Sequence, residues 1–288
     1  MSKPHSPIKE LILEAKDGFP LAATLYGVPA EAGKIAVIAP ALGMPRKSYS
    51  PFAQHLSKFG ISALTLDYRG FGDAGPAWRD DAKGGFTALG SLDLDAALAY
   101  ANEQALHDSE LLFIGHSAGT MVLGMAPHNQ LVSRAVSVAS GSGYYGLAPF
   151  PRNLLQYLFW STMVPFSTRV HGFFPGRWIG LLGHIPASIA FELSELCMDP
   201  NYVLAAKHAV TFANVHAKMW ALSFTDDMMI SRKSVDHLHK QFSGASITRS
   251  HIDPSEVGVT TLGHLGAFQS SATSLWDMIG TWLVAPAE

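Results

Sequence analysis

Leu111-Leu112-Phe113-Ile114-Gly115-His116-Ser117-Ala118-Gly119-Thr120 is the stretch on which the reading of this chain turns. An apolar run leads into G-x-S-x-G, and a helical pattern follows from Ala118 to Ala126, so the motif sits where a strand hands over to a helix. A turn that tight needs small residues on either side. It lifts the Ser117 hydroxyl above the sheet at a helix N-terminus, where developing negative charge is stabilised. Ser117 is therefore the candidate nucleophile.

A serine hydroxyl is a poor nucleophile until a base takes its proton, and the base, a histidine, needs a carboxylate to fix its tautomer. Behind a nucleophile on such an elbow these partners follow in chain order, acid first and histidine second. The apolar run Met219–Phe224 ends in Thr225-Asp226-Asp227, and the run Ser246–Ser250 is followed by a loop closing on Gly263-His264-Leu265-Gly266. His264 is the candidate base, because it lies in a late, glycine-flanked loop before the terminal helical stretch. His251 sits at a strand end, too early to bend over Ser117. His116 should point into the fold, and His237 and His239 face different ways on a helix, so neither pair nor metal site is expected. Asp226 and Asp227 compete for the orienting role, the alternative for Asp226 being a turn-stabilising carboxylate.

The oxyanion of an acyl-transfer intermediate needs two converging N–H donors. One is expected from Ala118, the residue after the nucleophile. The other should follow the strand Ile35–Ala39, where Ala41 is the first candidate and Leu42 the next, since Pro40 carries no N–H.

The 288 residues are 48% hydrophobic and 15% charged, which excludes extended disorder as the main state and permits one large domain or a core with an insertion. Twenty Lys and Arg against 23 Asp and Glu, with no basic run, argue against nucleic-acid binding. A lone cysteine, Cys197, forms no internal disulfide, and the polar start MSKPHSPIKE lacks a signal-like apolar stretch, so a cytoplasmic location is expected. Apolar residues crowd Asn153–Thr168, but Pro165 and polar residues break the run; no membrane span is expected there, while interfacial contact stays open.

Short β-rich runs alternate with longer helical stretches, the pattern of a parallel sheet covered by crossover helices. Ile8–Glu14 and Leu21–Tyr26 flank Lys16-Asp17-Gly18 as an antiparallel hairpin; the later strands are Ile35–Ala39, Ser62–Leu66, Leu111–Ile114, Ala135–Ala139, Met219–Phe224 and Ser246–Ser250. Helices are expected over Tyr49–Phe59, Gly90–Gln104, Lys233–Phe242 and Leu265–Leu283 as well as after the elbow. The alternation fails over residues 143–205, which hold 12 aromatic and six charged side chains and no obvious strand. That segment reads as an inserted lid on a core of residues 1–142 and 206–288, its rings either roofing an apolar site or packing on the core or on another subunit.

With these residues in hand the chain resembles the α/β-hydrolase superfamily over nearly its whole length. Asp67-Tyr68-Arg69-Gly70-Phe71-Gly72 is similar to the D-x-R-G-x-G segment of lipase, esterase and serine-aminopeptidase-like members, where its role is mainly structural. Ala39-Pro40-Ala41 in place of the usual His-Gly, Phe174-Pro175-Gly176 and Gly263-His264-Leu265-Gly266 look like a group of predicted bacterial α/β hydrolases of mostly unassigned substrate. Ala74 stands where many relatives have serine. The resemblance implies an eight-stranded, mostly parallel sheet with helices on both faces and a helical lid. It favours Asp227 as the acid, since in similar hydrolases that residue sits three positions beyond the last strand residue. It implies a fold and a triad, not a substrate; from the residues themselves the leading expectation is ester hydrolysis without cofactor, on a small to medium apolar acyl substrate if the ring-rich insertion roofs the site, the same groups serving a thioester or an amide equally well. Dehalogenase and epoxide-hydrolase chemistry would require a carboxylate at position 117. A noncatalytic binding protein on the same scaffold is the competing class. Oligomeric state is not encoded in any of these signals.

Overall fold

The computed structural model describes residues 7–73, 84–105, 109–179, 183–202 and 211–286. Ala74 and the boundary between residues 205 and 206 lie outside them. Eight strands form one sheet: β1 (Ile8–Glu14), β2 (Pro20–Tyr26), β3 (Lys34–Ala39), β4 (Ser62–Leu66), β5 (Glu110–His116), β6 (Val132–Val138), β9 (Lys218–Phe224) and β10 (Ser246–Ile252), with the short strands β7 (Phe173–Phe174) and β8 (Ile185–Pro186) apart from it. The order is β1-β2-β4-β3-β5-β6-β9-β10; β1–β2 and β2–β4 pair antiparallel and all other pairs are parallel. This is the eight-stranded, mostly parallel architecture that the alternation of runs and the resemblance implied.

The central strands are apolar on both faces because helices cover both. Ile35, Val37 and Ala39 of β3 join one core, which takes in Leu94, Leu98 and Val122, while Ala36 and Ile38 join the other, which takes in Phe52, Leu275 and Ile279. The five side chains from Ile35 to Ala39 are fully buried, so this strand shows the continuous apolar run expected of a doubly covered parallel sheet. The parallel register brings the carboxyl ends of the strands to one edge. Ala39 pairs with Gly115, His116 with Val138, and Phe224 with Ile252. The segments that carry Leu42, Ser117, Asp227 and His264 all leave the sheet there, on the edge where open α/β sheets place their sites.

Several elements depart from their sequence outlines. The stretch 49–59 is a helix Ser50–His55 between two 3-10 turns, and the stretch read from Gly90 begins at Gly85 and passes through a π-helical segment, Leu89–Leu94. The last helix starts at Thr273, after 3-10 turns at Gly266–Phe268 and Ser270–Ala272. Residues 143–202 are helical at Arg152–Leu158, Val164–His171 and Ala187–Met198, a π-helical segment joining the first two. They also contain the two-residue ladder of β7 and β8, which is too short to leave a period in the sequence.

The segment beginning at Asp67 is a structural clamp. The Asp67 carboxylate accepts from the Arg46 N–H at 2.6 Å, the Arg46 guanidinium at 2.5 Å and the Asp73 N–H at 2.9 Å. Arg69 is fully buried, and its Nε donates to Asp93 Oδ1 at 2.7 Å while its Nη1 reaches Asp17 at 2.7 Å. Removing one partner of such a buried pair strands the other charge. Arg69→Met should therefore lower the urea-unfolding free energy by about 3 to 5 kcal/mol. Adding Asp93→Leu to that variant should restore part of the loss; an Arg69→Met midpoint equal to wild type would contradict the account.

Candidate active site

The elbow forms because two glycines remove obstacles. A Cβ on Gly115 would stand 2.5 Å from Thr120 Oγ1, and one on Gly119 would stand 2.2 Å from the Ala39 carbonyl oxygen. Helix Ala118–Leu123 can thus press against β3 and turn directly off β5. Ser117 takes the strain of the turn, with φ +52° and ψ −116°, in a region where a non-glycine residue persists only when its surroundings hold it. Its own N–H donates to the Val138 carbonyl at 2.9 Å.

His264 Nε2 lies 2.9 Å from Ser117 Oγ, and Nδ1 lies 2.9 Å from Asp227 Oδ2. Asp227 has 1% side-chain exposure and His264 8%, so little water competes for these contacts. The other Asp227 oxygen accepts from the Met229 N–H at 2.7 Å and the Ile230 N–H at 3.1 Å, which orients the carboxylate. Asp226 faces elsewhere. Its Oδ2 accepts from Thr261 Oγ1 at 2.8 Å and the Leu262 N–H at 2.9 Å, and although burial opposes it, these donors hold the carboxyl below the ordinary range. The neighbouring carboxylates divide the work: Asp227 meets the histidine, and Asp226 pins the loop that delivers it.

The remaining candidates sort themselves by contact. His251 Nδ1 is 2.9 Å from Ser223 Oγ, and His239 is buried with Nδ1 2.7 Å from the Val235 carbonyl and Nε2 2.9 Å from Ser137 Oγ. His116 is fully buried; its Nε2–H donates to the His264 carbonyl at 2.8 Å, so Nδ1 is the acceptor for the Tyr49 hydroxyl at 2.7 Å. Burial pushes His116 down to about 3, which keeps this neutral tautomer in place. Cys197 shares the cavity wall, and burial pushes its thiol well up, away from thiolate chemistry. Among the described residues no group of three or more His, Cys, Asp or Glu is arranged to hold a metal ion.

The two candidates for the second N–H donor are placed differently. The Ala41 N–H donates to Tyr49 Oη at 2.9 Å, so it is already engaged inside the fold. Leu42 is the next residue with an N–H; it lines the cavity beside Ser117 and Ala118, and no described group accepts its hydrogen. Tyr49 was invisible as a site residue in the sequence. It lies 67 positions before His116, and only the fold shows that its hydroxyl ties the loop after β3 to the histidine loop.

Ser117 and His264 open onto a cavity of about 260 Å³ whose walls include Phe86, Met121, Trp160, Ile185, Leu193 and Tyr202. The rings of residues 143–202 take three different positions. Trp160 and Tyr202 line the cavity, Phe159 and Phe174 pack edge-on at 5.8 Å, and Phe150, Phe166 and Trp178 are exposed. No described helix is long and apolar enough to cross a membrane.

The family model for the alpha/beta hydrolase fold matches residues 37–171. No curated protein matches the chain. Among solved structures, a soluble variant of monoglyceride lipase from Saccharomyces cerevisiae in complex with a substrate analog is similar at 12% identity and TM-score 0.65, over 98% of each chain. An esterase from Exiguobacterium antarcticum is similar at 11% identity and TM-score 0.62, over 96% of this chain and 100% of that one. The Pyrococcus furiosus esterase Pf2001 is similar at 14% identity and TM-score 0.57, over 96% of this chain and 92% of that one. At such identities the likeness speaks to the fold, and together with the match over residues 37–171 and the strand order it shows that this chain has the α/β-hydrolase fold.

Proposed function

We propose that this α/β hydrolase is a serine hydrolase that cleaves carboxylic esters through an acyl-enzyme. The observation that carries the proposal is His264 bridging Ser117 Oγ and Asp227 Oδ2 at 2.9 Å on either side, at the wall of a largely apolar cavity. As Ser117 Oγ attacks the ester carbonyl, His264 Nε2 takes its proton and Asp227 stabilises the imidazolium. The oxyanion is held by the N–H groups of Ala118 and Leu42. Collapse breaks the bond to the alkoxy group, which leaves as the alcohol with the proton from His264, and Ser117 keeps the acyl group. Water, deprotonated in turn by His264, attacks the acyl carbon; the carboxylic acid leaves and Ser117 recovers its proton. Tyr49 and His116 are positioning residues, fixing the loops that carry Leu42 and His264.

The triad assignment is tested by substitution. Ser117→Ala and His264→Ala should each lower kcat on a short aryl ester by about three orders of magnitude or more with an unchanged circular-dichroism spectrum. Asp227→Asn should cost far more than Asp226→Asn, because an amide at 227 misorients the histidine whereas one at 226 keeps an acceptor oxygen for Thr261 and Leu262. Near-wild-type turnover in the Ser117 variant would overturn the assignment, and the reverse ranking of the aspartates would move the acid.

We also propose that residues 143–205 act as a lid and that the cavity they help to wall takes the acyl chain, supported by Trp160, Ile185, Leu193 and Tyr202 at its lining. Each buried methylene contributes up to about 0.8 kcal/mol, so kcat/KM should rise several-fold per carbon until the cavity is full. A series from acetyl to octanoyl esters, corrected for intrinsic reactivity, checks this. A flat series would remove the acyl pocket and leave the triad standing.

A further inference from the structure

The continuous helical stretch from Arg152 to His171 is amphipathic in an unusual sense. Its inward stripe, Asn153, Gln156, Trp160, Val164 and Thr168, recurs every three to four residues and is buried or half-buried. The opposite stripe should be polar on a solvent-facing helix. Instead it presents Leu155, Leu158, Phe166 and Val170, with Leu155 64% and Phe166 67% exposed. Phe150 and Trp178 lie bare before and after the same stretch. Of the 15 exposed large apolar side chains among the described residues, ten fall between Phe150 and Ile179. Scattered apolar residues are ordinary on a surface, but this concentration is of the kind that marks an interaction face.

Charge indicates the partner. Between Gly143 and Phe191 the sequence has no Asp or Glu, although the chain holds 23 of them, and its charged residues are Arg152, Arg169 and Arg177, all exposed. An apolar helix face accompanied only by arginines, with a tryptophan alongside, has the chemistry of a helix lying in the headgroup region of an anionic bilayer. Pairing with a second copy about a two-fold axis would set this same arginine-only face against itself. We propose that this face docks the protein on anionic lipid surfaces, the helical stretch from Arg152 to His171 lying in the plane of the interface. Trp160, on the inward stripe of that helix, lines the cavity holding Ser117, so the docked face and the cavity lie on opposite sides of one helix. Docking itself does not depend on the hydrolase reading.

Co-sedimentation with lipid vesicles tests it, using Ser117→Ala protein so that no lipid is consumed. Vesicles of phosphatidylcholine with about 30% phosphatidylglycerol should pull down the protein roughly tenfold better than pure phosphatidylcholine, with the advantage falling as salt is raised. Leu155→Ser with Phe166→Ser should reduce binding to the mixed vesicles by roughly tenfold. Arg169→Gln with Arg177→Gln should remove most of the preference for the anionic lipid. The same pairs in a chain retaining Ser117 should leave turnover of a water-soluble ester unchanged, which separates this claim from the triad's. No sedimentation with mixed vesicles, or equal sedimentation of the Leu155/Phe166 variant, would overturn the proposal. So would a dimer in analytical ultracentrifugation that the Leu155/Phe166 variant dissolves, because the face would then be covered by its own copy.

Discussion

The left-handed backbone of Ser117 is the constraint around which the rest of the site is arranged. A serine at φ +52° is held there by the β5 ladder on one side and helix Ala118–Leu123 on the other, and the helix can start so close only because Gly119 lets it rest on the Ala39 carbonyl. The same contact sets the loop after β3 beside the helix N-terminus, so Leu42 and Ala118 come to line one cavity. Strain at Ser117 and the placing of Leu42 and Ala118 on one cavity wall thus share a cause: the close approach of β3, β5 and one helix.

A second, buried network ties the loops together. The Ala41 N–H donates to Tyr49, Tyr49 donates to His116, and His116 donates to the His264 carbonyl. Each member is buried or largely so, and a hydrogen-bond chain in such surroundings is costly to leave half-made. From the other side Asp226 grips Thr261 and Leu262, while Asp227 is itself oriented by the N–H groups of Met229 and Ile230. The His264 ring is therefore placed by contacts to its backbone and to its loop as well as by the carboxylate it touches.

Much of this was legible in the sequence for physical reasons. The sheet declared itself through β-branched runs buried on both faces, and the places after strands singled out Ser117, His264 and the pair Asp226 and Asp227 as candidates, without choosing between the two carboxylates. What escaped depends on partners distant in sequence. Strand β5 begins at Glu110 because that residue pairs in register with Lys34, a polar extension that an apolar run does not announce. Strand β6 stops at Val138 because Ala139 turns to φ +50°. Ala41 and Leu42 are indistinguishable as donors until Tyr49 is seen to occupy one of them. In residues 143–202 the excess of rings was plain, but their division among cavity, packing and open surface is a property of helix rotation, which composition does not carry.

The account's central claim is that Ser117 is an activated nucleophile, and covalent labelling tests it most directly. Incubation with a fluorophosphonate probe followed by peptide mapping should find one phosphonyl group per chain, on Ser117, with labelling strongly slowed in His264→Ala because the base that activates the hydroxyl is gone. An unlabelled protein, or a label carried by any other residue, would contradict the claim and leave the fold as a scaffold for another activity.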